Sequence, residues 1–225
     1  MLLIQRFLLS LLLIVGLPCA AAPAAPFDDA RGRVELAAIE KRSETSVTDA
    51  LRRLEALQAN LLPTASYGLR RDILRAEVWM REDAGQLDRS YEADQQALQP
   101  AFANNDLATA ALARFSKVRQ MLDQNRLDEA QAAMSAVLAT FPNVPWAMLT
   151  VAAHSVQGDV YNAQARFDKA LASYLSALKA EERTPDAGES RANLGIRIAQ
   201  IYLNTDNPAK AVQTIEQALG RTWTS

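Results

Sequence analysis

Small residues return at a fixed interval along this chain. Ala50, Ser90, Ala130, Ala170 and Ala211 are separated by 40, 40, 40 and 41 positions. Seven places after each come Leu57, Ala97, Val137, Ala177 and Ala218, and four of these five are followed by leucine, at Leu98, Leu138, Leu178 and Leu219. A recurrence in this range marks stacked units, each too small to bury its own apolar face and each dependent on its neighbours. Between these landmarks the apolar residues recur at steps of three and four, as in Leu51, Leu54 and Leu57 or Leu171, Tyr174, Leu175 and Leu178. Those steps put side chains on one face of a helix, and alternating β-branched runs are absent, so the expected class is all-α.

Composition supports helices and excludes little else. The 225 residues include only 8 Gly and 9 Pro, the balance being rich in Ala, Leu, Gln, Arg and Glu, which are good helix formers. Lys plus Arg total 24 against 26 Asp plus Glu, with no basic stripe, so no nucleic-acid partner is expected. Polar turns at 43–46, 83–86, 124–126, 162–166 and 204–207 divide each unit into two helices. Pro63, Pro100, Pro142 and Pro185 are expected to close the second helix of a unit, because proline lacks the backbone donor needed to continue one. Ser46 and Asn125 read as N-caps ahead of Asp49 and Asp128, and Pro208 suits a first helical position.

The N-terminus follows different rules. Met1 to Arg6 carries one positive charge, Phe7 to Leu17 is apolar apart from Ser10 and Gly16, and small residues follow at Ala20, Ala21 and Ala22. That is the layout of a secretory signal peptide over 1–21, cleaved after Ala20 or Ala21, with an uncleaved inner-membrane anchor as the alternative. Residues 22–26 read as an Ala/Pro linker and 27–221 as the repeat domain. Cleavage would remove Cys19, the single cysteine, and a cysteine-free exported helical chain points to a bacterial periplasm or to secretion.

His154-Ser155-Val156-Gln157-Gly158-x2-Tyr161, followed by Phe167-x2-Ala170-Leu171-x2-Tyr174-x2-Ala177-Leu178, resembles the tetratricopeptide repeat family. It departs from the pattern at His154 and Gln157, where Trp and Leu are usual. The second helix around Ala130, Val137, Leu138 and Phe141-Pro142 is similar, as are Ala199-x2-Tyr202 with Ala211, Ala218 and Leu219. The units around Ala50 and Ser90 share only the period. The resemblance implies an α-solenoid of about four to five helical hairpins, against the rivals of another solenoid or a plain helical bundle. The family's usual repeat is about 34 residues, so extended helices or longer connections are implied.

Catalytic chemistry has little to build on. His154 is the only histidine, no phosphate-binding or nucleophile-elbow motif occurs, and no cofactor, metal or enzymatic activity is expected. The resemblance implies instead a protein or peptide partner, held along the side formed by the first helix of each hairpin. By alignment that side would carry Arg75, Trp79, Phe115, Arg119, Ser155, Asp159, Asn162, Ile196 and Gln200. Trp79 and Phe115, flanked by Arg75 and Arg119, are aromatic and guanidinium residues of the kind that dominate interfaces. Two settings fit, a stand-alone scaffold in the envelope or the extracytoplasmic input region of a membrane-bound diguanylate cyclase or sensor kinase. Contact with a membrane is expected only through the N-terminal segment.

Overall fold

A computed structural model describes residues 26–140, 147–182 and 188–218. The signal segment, residues 22–25 of the linker, Pro142, Pro185 and residues 219–221 lie outside those residues. The described residues form ten helices, paired as five hairpins. The first pair is α1 (Asp29–Ser43) with α2 (Val47–Ala59), the second α3 (Tyr67–Asp83) with α4 (Leu87–Ala103). The third is α5 (Leu107–Asp123) with α6 (Leu127–Thr140), the fourth α7 (Ala147–Ala163) with α8 (Phe167–Glu181), and the fifth α9 (Gly188–Asn204) with α10 (Pro208–Ala218). Among the described residues the β-structure amounts to one isolated bridge, Phe27 to Leu61, which ties the start of the array to the end of α2.

The long period comes from long helices. From α3 onward the helices begin at 67, 87, 107, 127, 147, 167, 188 and 208, a nearly constant step of twenty residues. Most are 15 to 17 residues long and are joined by three-residue turns. The middle residue of these turns is left-handed, at Gly85 (φ 69°), Asn105 (φ 55°), Asn125 (φ 57°), Ala165 (φ 55°) and Asp206 (φ 58°). Two hydrogen bonds close each turn, such as Arg126 N–H to the Met121 carbonyl (2.8 Å) and Asn125 N–H to that of Leu122 (2.9 Å). This arrangement satisfies carbonyls that a helix end would otherwise leave bare.

Two expectations about helix ends are corrected. Asn125 is not an N-cap: it is the left-handed residue that terminates α5. Pro100 does not close α4, which continues to Ala103. Pro100 sits in the last turn, where its missing N–H forfeits a single bond, and its own carbonyl accepts from both the backbone (3.1 Å) and side-chain (2.8 Å) nitrogens of Asn104. Elsewhere the caps follow the sequence. Ser46 accepts from Asp49 N–H (3.3 Å), Ser66 from Leu69 N–H (3.2 Å) and Asp106 from Thr109 N–H (3.0 Å).

Each helix packs on the next in the chain, and α1 also packs on α3 and α5 on α7. All extensive helix–helix contacts join elements adjacent or one apart in sequence, which is the order of an open array and not of a closed bundle. The core is correspondingly divided along the chain. Ile39, Leu54, Leu57, Leu69 and Ile73 centre the first cluster, Val118, Met134 and Val156 the second, and Tyr174, Leu194 and Ile201 the third. Each fully buried leucine or isoleucine contributes roughly 1.5–3 kcal/mol.

The recurring small residues mark close approaches. Ala50, Ser90, Ala130, Ala170 and Ala211 are all buried. A Cβ placed on Gly158 would come within 2.5 Å of the Tyr174 ring, so the glycine is what lets α8 seat that ring against α7. Helices α4 and α5 pack closely on each other, and both bury small residues, Ala93, Ala97 and Ala101 on α4 and Ala110, Ala111 and Ala113 on α5. The second and third hairpins are thus joined as tightly as the helices within either one. No helix among the described residues is long and apolar enough to cross a membrane.

Candidate functional site

Two adjoining cavities open along the first-helix side, one of about 500 Å³ walled by α3, α4 and α5 and one of about 830 Å³ walled by α5, α7 and α9. They share Glu82, Tyr91, Arg119 and Ala152 and form one groove. Arg75, Trp79 and Phe115 line its N-terminal half. Ser155, Asp159, Asn162, Ile196 and Gln200 line its C-terminal half, and Arg119 stands where the two meet.

Placement in the groove does not make these side chains equivalent. Trp79 is 38% exposed and Ile196 is exposed, whereas Phe115 is only 4% exposed and belongs to the second core cluster. Phe115 therefore backs the wall and offers no free ring. Ser155 is 7% exposed, and among the described residues its hydroxyl has no hydrogen-bond partner. Arg75 and Gln200 are exposed, and Asn162 is half-buried.

Asp159 is the fixed point of the C-terminal half. Its Oδ1 accepts from the Tyr174 hydroxyl (2.8 Å) and from Arg197 Nη1, and its Oδ2 accepts from Arg119 Nε at 3.4 Å. One carboxylate thereby links α5, α7, α8 and α9. Burial, reinforced by the adjacent carboxylate, pushes the Tyr174 hydroxyl well above the ordinary tyrosine range. Burial works to lower Arg197, but Asp159 outweighs it and holds the guanidinium above its usual value. Both groups keep fixed protonation states at physiological pH.

The N-terminal half handles charge differently. Glu40, Glu82 and Asp94, from α1, α3 and α4, have no ion pair among the described residues. Burial raises the Asp94 carboxyl to about 6; Ser116 opposes the shift, Glu82 adds to it and Arg119 opposes it. The Tyr91 hydroxyl donates to Asp123 Oδ2 at 2.5 Å and is pushed upward, by burial first and by that carboxylate second.

Several of these residues were not legible from alignment by the period. Asp94, Tyr91 and Tyr174 sit on second helices, which a simple solenoid assigns to the opposite side. Tyr91 and Asp94 reach it between α3 and α5 and Tyr174 between α7 and α9, pairs that, unlike α1 and α3, do not pack extensively on each other. Arg197 lies 38 positions from Asp159 while Arg119 lies 40 away, so a strict 40-residue step finds one partner and misses the other. A polar ladder at 38 to 40 positions, including Arg33 to Asp72 (39) and Tyr67 to Asp106 (39), is the signal that would have found it.

His154 lines neither cavity, and burial lowers it from the ordinary imidazole value. Among the described residues no group of three or more His, Cys, Asp or Glu side chains is placed to hold a metal ion.

A tetratricopeptide repeat family model matches residues 196–222. The match falls on the fifth hairpin. It is the unit of Ala199, Tyr202, Ala211 and Ala218; the stretch 154–178, which also resembles the family, lies outside the matched span. Solved structures to which the chain is similar include MamA 41-end from Desulfovibrio magneticus RS-1, at 16% identity over 86% of this chain and 97% of that one, TM-score 0.47. BtubC (BKLC) from P. vanneervenii is 15% identical over 84% of this chain and 75% of its own, TM-score 0.49. MamA AMB-1 is 17% identical over 84% and 94%, TM-score 0.42. Scores under 0.5 at such identity say nothing about partners. No curated relative matches the chain.

Proposed function

We propose that this protein is an exported, noncatalytic scaffold that holds a protein or peptide partner in the groove formed by α3, α5, α7 and α9. The observation that carries the reading is the groove itself. Two cavities join along four first helices, with exposed Trp79 and Ile196 at the surface and a rigid ionic hub beneath. A surface preorganised in this way loses little conformational freedom when a partner docks. The tetratricopeptide repeat at 196–222 supports a protein as that partner. Export rests on the signal-like segment 1–21, and envelope placement on the same residues.

The test is capture of envelope proteins by the purified mature chain, with and without Arg75→Ala and Trp79→Ala, both exposed residues whose loss leaves the core intact. A specific partner lost from the folded variant is the expected result, and unchanged capture of every partner would reject the groove. Export is tested separately by cell fractionation and by the mass of the mature chain, which should begin at Ala21 or Ala22.

A further inference from the structure

We infer that the groove selects a cationic, extended segment of its partner, with Glu40, Glu82 and Asp94 as counter-charges, Trp79 as the apolar and cation-receiving face, and Ser155 as a buried polar contact. The inference deepens the groove reading above and rests on it. Across its two halves the groove presents six carboxylates, from Glu40, Asp72, Glu82, Asp94, Asp123 and Asp159, against the three guanidiniums of Arg75, Arg119 and Arg197. Two of those three arginines are already committed to Asp159. Asp72 is likewise paired, with Arg33 at 3.3 Å and Arg71 at 2.9 Å. Of the four carboxylates left without an ion pair among the described residues, Asp123 accepts from Tyr91 in the 830 Å³ half, and Glu40, Glu82 and Asp94 face the 500 Å³ half from three different helices, beside a tryptophan that is 38% exposed.

An anionic segment would meet these groups as like charges, whereas an Arg or Lys side chain could pair with a carboxylate and lay its stem and charge over the Trp79 indole. Ser155 is independent of the charge pattern. The residue is nine-tenths buried, but its oxygen stays open to the 830 Å³ half, so it offers a hydrogen bond to a polar group seated there. Asp94 adds a further sign of use. Burial raises its carboxyl, so its charge at neutral pH is held against the fold's own preference and gains most from an incoming cation. A groove lined in turn by α3, α5, α7 and α9 suits an extended segment that touches several helices along its length.

The probe is therefore a pair of fluorescein-labelled peptides of about ten residues. One carries three Arg among Leu and Ala, and the other has Glu in place of each Arg. Binding to the mature chain is read by anisotropy. The Arg peptide should bind at least about tenfold tighter than the Glu peptide, weaken as salt rises, and lose most of that advantage in the Glu40→Gln/Glu82→Gln/Asp94→Asn variant. Should that variant fail to fold, Glu82→Gln alone, at an exposed position, should still reduce the advantage by a few-fold.

Equal binding, a preference for the Glu peptide, or a preference that survives in the substituted chain would overturn the inference. Equal binding that Trp79→Ala abolishes would sink charge selection and leave the groove reading standing. Failure of both peptides to bind, together with partner capture unchanged in Trp79→Ala, would sink both.

Discussion

The two halves of the groove meet along α5, draw most of their walls from different helices, and spend their charges in opposite ways. In the C-terminal half a single carboxylate, Asp159, gathers two guanidiniums and a tyrosine hydroxyl, and α5, α7, α8 and α9 are fastened together through it. In the N-terminal half Glu40, Glu82 and Asp94 come from three helices and are left without ion pairs among the described residues. Satisfied polar networks fix geometry, whereas carboxylates with no ion pair, two of them exposed and one half-buried, are open to an incoming cation. On the function proposed above, the C-terminal half is the rigid end of the groove and the N-terminal half the recognising one.

The hub should fail hardest. Asp159→Ala strands Arg119, Arg197 and the Tyr174 hydroxyl at once, and it should lower stability by about 2–4 kcal/mol in urea unfolding, with the partial exposure of both arginines keeping the cost below that of a fully buried pair. A loss of only a few tenths would mean that the C-terminal half is no more fixed than the other. Next come the close approaches beneath it. Gly158→Ala drives a methyl group into the Tyr174 ring and Ala170→Leu overfills the same helix pair, each costing about 1–3 kcal/mol, read from the urea midpoint.

Asp94 sharpens the contrast from the other side. Its native carboxyl is raised to about 6 by burial, while an unfolded aspartate titrates near 4. Between those values the native state holds more protons than the unfolded one, so this residue's contribution favours folding below about pH 4 and is lost as pH rises to about 6. Asp94→Asn should remove that dependence and stabilise the chain at neutral pH by on the order of 1–2 kcal/mol, measured as unfolding free energy against pH. A destabilised variant would contradict the account of an unpaired carboxylate. The smallest effect is a control outside the groove. Ala165 is left-handed (φ 55°), and Ala165→Gly should add about 0.5–1 kcal/mol to stability without altering peptide binding.

What could be seen in the sequence was whatever repeats. The 40-residue return of Ala50, Ser90, Ala130, Ala170 and Ala211 located all five helix pairs, because close packing at those positions tolerates only small side chains. Turn positions were equally plain, since polar residues interrupt the helical steps there. Helix ends were harder. Pro100 reads as a stop but tolerates one more turn, and the same three-residue turn that separates α3 from α4 also joins α4 to α5.

The groove was legible where first helices supply it, from Arg75 to Gln200, and opaque where second helices enter it. Tyr91 and Asp94 depend on how far apart α3 and α5 stand, and Tyr174 on α7 and α9, distances set by packing and not by spacing along the chain. Exposure was also hidden. Nothing in the sequence distinguishes Trp79, which is open to solvent, from Phe115, which the second core cluster covers.

Site-specific photo-crosslinking tests the central claim most directly. A photoreactive residue placed at position 79 in the groove, and in a second chain at position 138, an exposed site on α6 that lines neither cavity, is irradiated in the presence of the captured partner. A crosslinked partner at 79 and none at 138 is predicted. Crosslinking at 138 with none at 79 would place recognition on the other side of the array and contradict the account.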